Sequence, residues 1–460
     1  MGNGKKLDFF FNPASIAVVG ATPTPGKISN IVLESLKNAG FQGDIYPVNP
    51  GYKTIDGSPC YPSIKAIGKE IDMAVFAVPA QSAVPALKEA KGCLKSAVVI
   101  SGGFAETDEA GRLLEKELRD IARHGGIRII GPNCMGIYDT VSKTDTFFIP
   151  PERIKRPSKG GLSIISQSGS FAVTAMDELA SEGIGVARVV SYGNKADVNE
   201  SDCLEFLAAD TETKAIAVYI ESIEEGRRFV EAASSCSVKK PVMAIKAGRS
   251  DAAVFAARSH TGALAGRYEV YRAAFRKAGI IELAGYEEFI SGCKAFGMQT
   301  PARGNRVMII TDGGGMGVSI ADASAASGLD AAPLPEAVAA PLKAGFPRFC
   351  AVTNPMDLTG SATDELFAEA IEKTMSGDNY DIAIVAALWG PPALTDEMPE
   401  LIAEKARICG KPVIICTPGG DYTREKMALF RKFGLPVFST PESAVRAASI
   451  LARGHRVKRG

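Results

Sequence analysis

Short runs of β-branched and other apolar residues alternate along the whole chain with longer Ala-, Leu- and Glu-rich stretches of helical character. SIAVV at 15–19, MAVFAVPA at 73–80, AVVIS at 97–101 and IRII at 127–130 are such runs, and each ends in turn residues. Apolar strands linked through helices predict parallel sheets, buried on both faces, in an α/β protein. Two Pro- and charge-rich breaks, IPPERIKRPSKGG (149–161) and TPARGNR (300–306), precede the apolar runs LSIIS and VMIIT. They predict three domains, at 1–150, 158–298 and 303–460, each large enough for its own core.

The second and third domains read as copies of one another. GLSIISQSGSFAV (161–173) aligns with RVMIITDGGGMGV (306–318), IAVYIE (216–221) with IAIVAA (382–387), PVMAIKAGRS (241–250) with PVIICTPGGD (412–421), and FRKAGIIEL (275–283) with FRKFGLPVF (430–438). The interval between the last two pairs is 16 residues longer in the second domain, and the extra segment contains His260. Ala387 stands in the third domain where the second has Glu221. A fold does not require a histidine loop and a carboxylate to disappear together; a site does.

His260 is one of only three histidines and lies among small residues in AGRSDAAVFAARSHTGALAG (247–266). A lone histidine in such a loop is either an ordinary surface residue or a nucleophile, and no second histidine or CxxC pair nearby suggests a metal. The repeat favours the nucleophile. A carboxylate at Glu221 would fix the ring tautomer and support the cationic form when the other nitrogen carries a phosphoryl group. SQSGS (166–170) and TDGGGMG (311–317) each join a strand to a helix, so backbone N–H groups at Ser168, Gly169, Gly313, Gly314 and Gly315 are expected to bind phosphate without help from a lysine.

The first domain begins strand, Gly/Pro turn, helix, strand, which suggests dinucleotide binding. The fingerprint fails, because Thr22 stands where its second glycine belongs and the second strand ends in Val48-Asn49-Pro50 with no acid for a ribose diol. A nicotinamide cofactor is therefore disfavoured.

Fifty-two basic residues balance fifty-two acidic ones, which argues against nucleic acid and anionic membranes as partners. No apolar run reaches 18 residues and no secretory leader is recognisable, so a cytoplasmic location is expected. Nine scattered cysteines predict free, buried thiols.

GPNCMG, SQSGSF, VYIES and SHTGALAG, in that order, resemble the α subunits of nucleoside-diphosphate-forming acyl-CoA synthetases, the superfamily that includes succinyl-CoA synthetase. The third domain, with NPMDLTG (354–360), looks most like the ADP-forming acetyl-CoA branch. The resemblance covers essentially the whole chain. It implies an N-terminal Rossmann-like domain that binds coenzyme A, followed by two flavodoxin-like domains. Gly20, Thr22, Gly26, Val48, Asn49, Pro50, Lys53, Val78, Pro79, Ser101, Gly102 and Gly103 would contact coenzyme A. Asn133 would join the phosphate site, with Gly193 and Asn194 in the same cleft. His260 would become phosphohistidine with Glu221 beside it. The reaction implied is acyl-CoA, ADP and phosphate to acid, CoA and ATP. No GxxxxGK[ST] loop or ATP-grasp segment is found, so ADP, ATP and Mg would belong to a separate ATP-grasp β subunit in an α₂β₂ assembly. A CoA-binding scaffold without chemistry and a nicotinamide oxidoreductase are the alternative classes.

Overall fold

The computed structural model describes residues 7–250 and 266–456. They form two compact units, 1–181 with 185–283, and 182–184 with 284–460. His260 lies outside the described residues.

The first unit holds two sheets. Strands β1 (Ser15–Val19), β2 (Asp44–Val48), β5 (Ile71–Phe76), β6 (Leu94–Val99) and β7 (Arg128–Ile130) form a parallel sheet in the order β2-β1-β5-β6-β7. A short hairpin, β3 (Thr54–Ile55) with β4 (Ser58–Pro59), stands apart from it. Val75, Phe76, Val98 and Val99 are fully buried, as a sheet covered by helices on both faces requires.

β8 (Gly136–Asp139), β9 (Thr144–Asp145), β10 (Lys159–Ser166), β11 (Val186–Ser191), β12 (Ala215–Ile220), β13 (Val242–Lys246) and β14 (Ile281–Glu282) form the second sheet. Its order is β14-β13-β12-β10-β11-β8-β9, with β8 antiparallel to β11. The first two of these strands precede the composition break at 149–161. That break therefore lies inside the second sheet's territory, because β11 would otherwise present an unpaired edge.

The second unit contains β15 (Val307–Thr311), β16 (Met356–Asp357), β17 (Ile382–Ala386), β18 (Val413–Cys416) and β19 (Val437–Phe438), ordered β16-β15-β17-β18-β19. The parallel strands of all three sheets thus repeat one plan, in which the first is flanked by the second and the third. Ligands of such sheets gather where the order reverses, outside the carboxyl ends of the strands. Every cysteine is free, with Cys60, Cys134, Cys203, Cys236, Cys293 and Cys416 buried. Among the described residues no helix is long and apolar enough to cross a membrane.

Candidate active site

At the reversal point of the first sheet, between the ends of β1 and β5, Gly20 has φ +87 and a Cβ there would lie 2.6 Å from Val78 Cγ1. Only glycine lets the two strand ends approach this closely. Ser101 Oγ donates to the Val78 carbonyl (2.5 Å), and Asn49 Nδ2 donates to the Ala21 carbonyl (2.8 Å). Thr22 lies 3.4 Å from the Tyr52 hydroxyl. Pro79 caps the helix Ala80–Glu89, Gly26 has φ +79, Pro50 and Lys53 are exposed, and Val48 is buried. The edge fits a ligand that lies along backbone, with one subtraction. The Gly103 N–H is already engaged by Glu106 Oε1 at 2.6 Å, with Phe104 N–H at 3.2 Å on the same oxygen.

A cleft of about 450 Å³ opens between the loops of the two sheets in the first unit. Its walls include Asn133, Ser168, Gly169, Asn194 and Glu221, so these sequence candidates converge. The helix Gly169–Ser181 starts at the cleft, and Gly169 is required because a Cβ would meet Met135 Cγ at 2.9 Å. Gln167 locks the neighbouring strand end: its Oε1 accepts from the N–H groups of Glu221 and Ser222, each at 3.0 Å. Glu221 therefore stands at a fixed backbone position beyond β12.

Asn133 and Lys195 both adopt left-handed backbone, at φ +55 and +52. Such conformations are uncommon for residues with a side chain and cluster at functional sites. Their loops are joined by Asn194 N–H to the Pro132 carbonyl (2.9 Å), and a Cβ on Gly193 would lie 2.2 Å from that carbonyl. Asn194 Nδ2 donates to Glu106 Oε2 (2.6 Å) and Glu115 Oε2 (2.9 Å), while its Oδ1 accepts from Asn133 Nδ2 (3.3 Å). Burial would raise the Glu106 carboxyl, but these bonds from Asn194 and from backbone hold it below its ordinary value. The loop of the first sheet that bears Ser101–Gly103 is in this way tied to the cleft.

The sequence reading left lysine out of the phosphate cradle, whereas Lys195 lines the cleft, 6% exposed, with Nζ on the Ser222 carbonyl (2.6 Å) and 3.5 Å from Glu200. Arg119 spans Glu115 (3.1 Å) and Glu224 (3.6 Å) at the rim. A polar string such as YGNKADV directly after an apolar strand was the available signal for Asn194 and Lys195. Burial pushes the Cys134 thiol up to about 12, which suits a wall residue and not a nucleophile.

In the second unit the helix Gly314–Ala326 follows Gly313, its N-cap. A Cβ on Gly313 would meet Leu388 at 2.4 Å and one on Gly314 would meet Asp357 Oδ2 at 2.7 Å, while Gly315 is open. Asp312 accepts from the Leu388 N–H at 3.0 Å, and burial raises its carboxyl to about 6.

A CoA binding domain matches residues 14–140, a succinyl-CoA ligase-like flavodoxin domain 159–296 and a ligase-CoA domain 307–459. The α subunit of acetate–CoA ligase [ADP-forming] II from Pyrococcus furiosus is 39% identical over 97% of this chain and 97% of its own length. Acetate–CoA ligase [ADP-forming] I from Archaeoglobus fulgidus is 37% identical over 98% of this chain, which spans 64% of that longer protein. A solved structure of dinucleotide-forming acetyl-coenzyme A synthetase 1 from Ca. Korarchaeum cryptofilum, in complex with phosphate and ADP, superposes with a TM-score of 0.92 at 32% identity, covering 98% of this chain and 97% of that one. Matched from end to end by an α subunit, and itself carrying a CoA binding, a succinyl-CoA ligase-like and a ligase-CoA domain in that order, the chain belongs to the ADP-forming acetate–CoA ligase family.

Proposed function

We propose that the chain is the CoA-binding and phosphoryl-carrying subunit of an ADP-forming acyl-CoA synthetase. The observation that carries this reading is the cleft in which a helix start at Ser168–Gly169, the amide of Asn133 and the carboxylate of Glu221 meet. A helix start offers unpaired N–H groups and positive potential to a phosphoryl group, and buried Lys195, held by Glu200 and the Ser222 carbonyl, lies in the same wall.

Coenzyme A enters as a substrate. We assign to it Gly20, Thr22, Gly26, Val48, Asn49, Pro50, Lys53, Val78, Pro79 and the Ser101–Gly103 turn, whose Gly103 N–H is taken up by Glu106. Inorganic phosphate attacks the thioester carbonyl, the carbon–sulfur bond breaks, and acyl phosphate and CoA are formed. The acyl phosphate then gives its phosphoryl group to a ring nitrogen of His260, and the carboxylic acid leaves. Glu221 accepts a hydrogen bond from the other ring N–H, which stabilises the phosphorylated ring. ADP, with Mg, collects the phosphoryl group as ATP on a separate ATP-grasp subunit, and an α₂β₂ assembly accommodates that division. Gly313–Gly315 provide a second helix start for phosphate in their own sheet.

The test is incubation of the purified chain with acyl-CoA and labelled phosphate, with and without a co-expressed ATP-grasp subunit. Acid-labile, base-stable label on the chain and ATP formation only with the partner are expected. Absence of label in both cases leaves a CoA-binding scaffold, and ATP made by this chain alone refutes the division of labour.

A further inference from the structure

Lysine is seldom buried completely, because its ammonium loses hydration unless acceptors or a counter-charge replace it. Lys195 is such a buried lysine, in the loop between β11 and the helix Glu200–Ala209. Its Nζ donates to the Ser222 carbonyl at 2.6 Å and lies 3.5 Å from Oε2 of Glu200, the buried first residue of that helix. Burial raises the Glu200 carboxyl, and the Lys195 ammonium opposes that shift.

The carbonyl that Lys195 holds belongs to the peptide joining Ser222 to Ile223. The N–H of the same peptide donates to the Tyr271 hydroxyl at 3.2 Å. One peptide unit is therefore gripped at its oxygen by an ammonium and at its N–H by a phenol, directly beyond the two amides that Gln167 holds. A hydrogen bond from a charged donor is stronger than one between neutral groups. The strand end that carries Glu221 is thus fixed from the loop after β11 as well as from the loop after β10.

The third sheet shows that the fold does not need the ammonium. Its helix Asp364–Met375, which joins β16 to β17 as Glu200–Ala209 joins β11 to β12, also begins with a buried acid. Asp364 accepts directly from the Thr395 N–H at 3.0 Å and from the Thr395 hydroxyl at 2.5 Å, which ties its helix to the segment after β17. The loop before it, LTGSAT at 358–363, contains no lysine. In the second sheet the corresponding tie from Glu200 to the segment after β12 runs through Lys195. We propose that Lys195 is a positioning residue for phosphoryl transfer, its ammonium holding the Ser222–Ile223 peptide and, through it, the strand end that places Glu221 in the cleft wall. This role rests on the function proposed for the cleft above.

The grip is read first in the chain alone, by hydrogen exchange at the Ile223 amide. Lys195→Met and Tyr271→Phe should each speed it about tenfold, and exchange as slow as in the parent would overturn the grip. Lys195→Met leaves Glu200 buried without a counter-charge, so the double variant Lys195→Met, Glu200→Gln separates stability from chemistry. In the assembled enzyme the double variant should melt close to the parent yet form phosphoenzyme about tenfold more slowly, with the KM for the CoA substrate within about twofold. A rate restored along with stability would reduce Lys195 to one half of a structural ion pair and overturn the role. Tyr271→Phe, which frees the other end of the same peptide without removing a charge, should slow the step about threefold, and an unchanged rate would also overturn it. A parent enzyme that forms no phosphoenzyme defeats the function proposed for the cleft, whereas exchange at Ile223 still decides the grip.

Discussion

The five parallel strands of the second sheet run in the same order as those of the third and carry the same latch, yet the two sheets differ in charge. Gln167 follows β10 and accepts from the N–H groups of Glu221 and Ser222; Asp312 follows β15 and accepts from the Leu388 N–H. Each latch ties the end of the first strand to the end of the third. The latched residues are thus Glu221 and Leu388: strand pairing sets Leu388, and not Ala387 as the aligned strings suggest, at the position of Glu221, and the third sheet still has no carboxylate there. The architecture is therefore complete without a carboxylate at this strand end, and the latch belongs to the fold.

The largest effect should come from the segment that the third sheet lacks. His260→Ala is expected to lower phosphate incorporation by roughly 10³-fold or more while leaving CoA affinity unchanged. Labelling and calorimetric titration of the same preparation check both halves. Retained incorporation would remove the functional distinction between the two sheets.

A transplant tests the other direction. Leu388 is half-buried and matches Glu221 in the strand pairing, so Leu388→Glu brings a second carboxylate beside Asp312 and should destabilise the second unit by about 3 kcal/mol. Leu388→Gln should lose less in urea unfolding, because the amide carries no charge. Equal losses would mean that packing at this strand end, and not charge, separates the two sheets.

The latches should also differ in pH response. The Asp312 carboxyl titrates near pH 6 in the folded chain against an ordinary value of 3.8, because burial disfavours its charge. The folded state thus holds this proton more tightly than the unfolded one. The group's favourable contribution is full below pH 3.8 and is lost as pH rises to about 6, a change of up to about 3 kcal/mol. Asp312→Asn, which copies the neutral latch of the second sheet, should flatten stability between pH 4 and 6 and raise it at pH 7.5. Melting curves over that range provide the check.

The smallest effect concerns the tie that the second sheet makes to the first. Asn194→Ala removes the donor shared by Glu106 and Glu115, at about 1 kcal/mol. The KM for the CoA substrate should rise about tenfold or less with kcat little changed, measured in the assembled enzyme. An equal fall in kcat instead would place Asn194 at the reacting atoms.

Much of this was legible in the chain itself. Strands such as 15–19 and 307–311 are unbroken apolar runs because both faces of a parallel sheet are covered. Ser168 and Gly169 stood out because both copies join a strand to a helix through a Ser/Gly turn, and Glu221 because the third sheet has no carboxylate at that strand end, although the aligned strings misplace its counterpart by one residue. The burial of Lys195 was hidden, because a lysine in a polar loop reads as solvated. The Asn194 network was out of reach for another reason: its partners lie 88 and 79 positions away, and no local pattern encodes such a meeting. The strands of GIYD and TD are too short to stand out by periodicity.

Those two short strands govern how the first unit must assemble. Leaving the first sheet after β7, the polypeptide supplies β8 and β9 to the flank of β11 before it builds any other strand of the second sheet. A fragment cut at the proline-rich stretch, from residue 158 onward, would leave β11 with bare amides and carbonyls, a template for self-association. The two sheets are consequently one cooperative folding block, and a nascent first sheet waits with a β-ribbon in hand until its neighbour emerges.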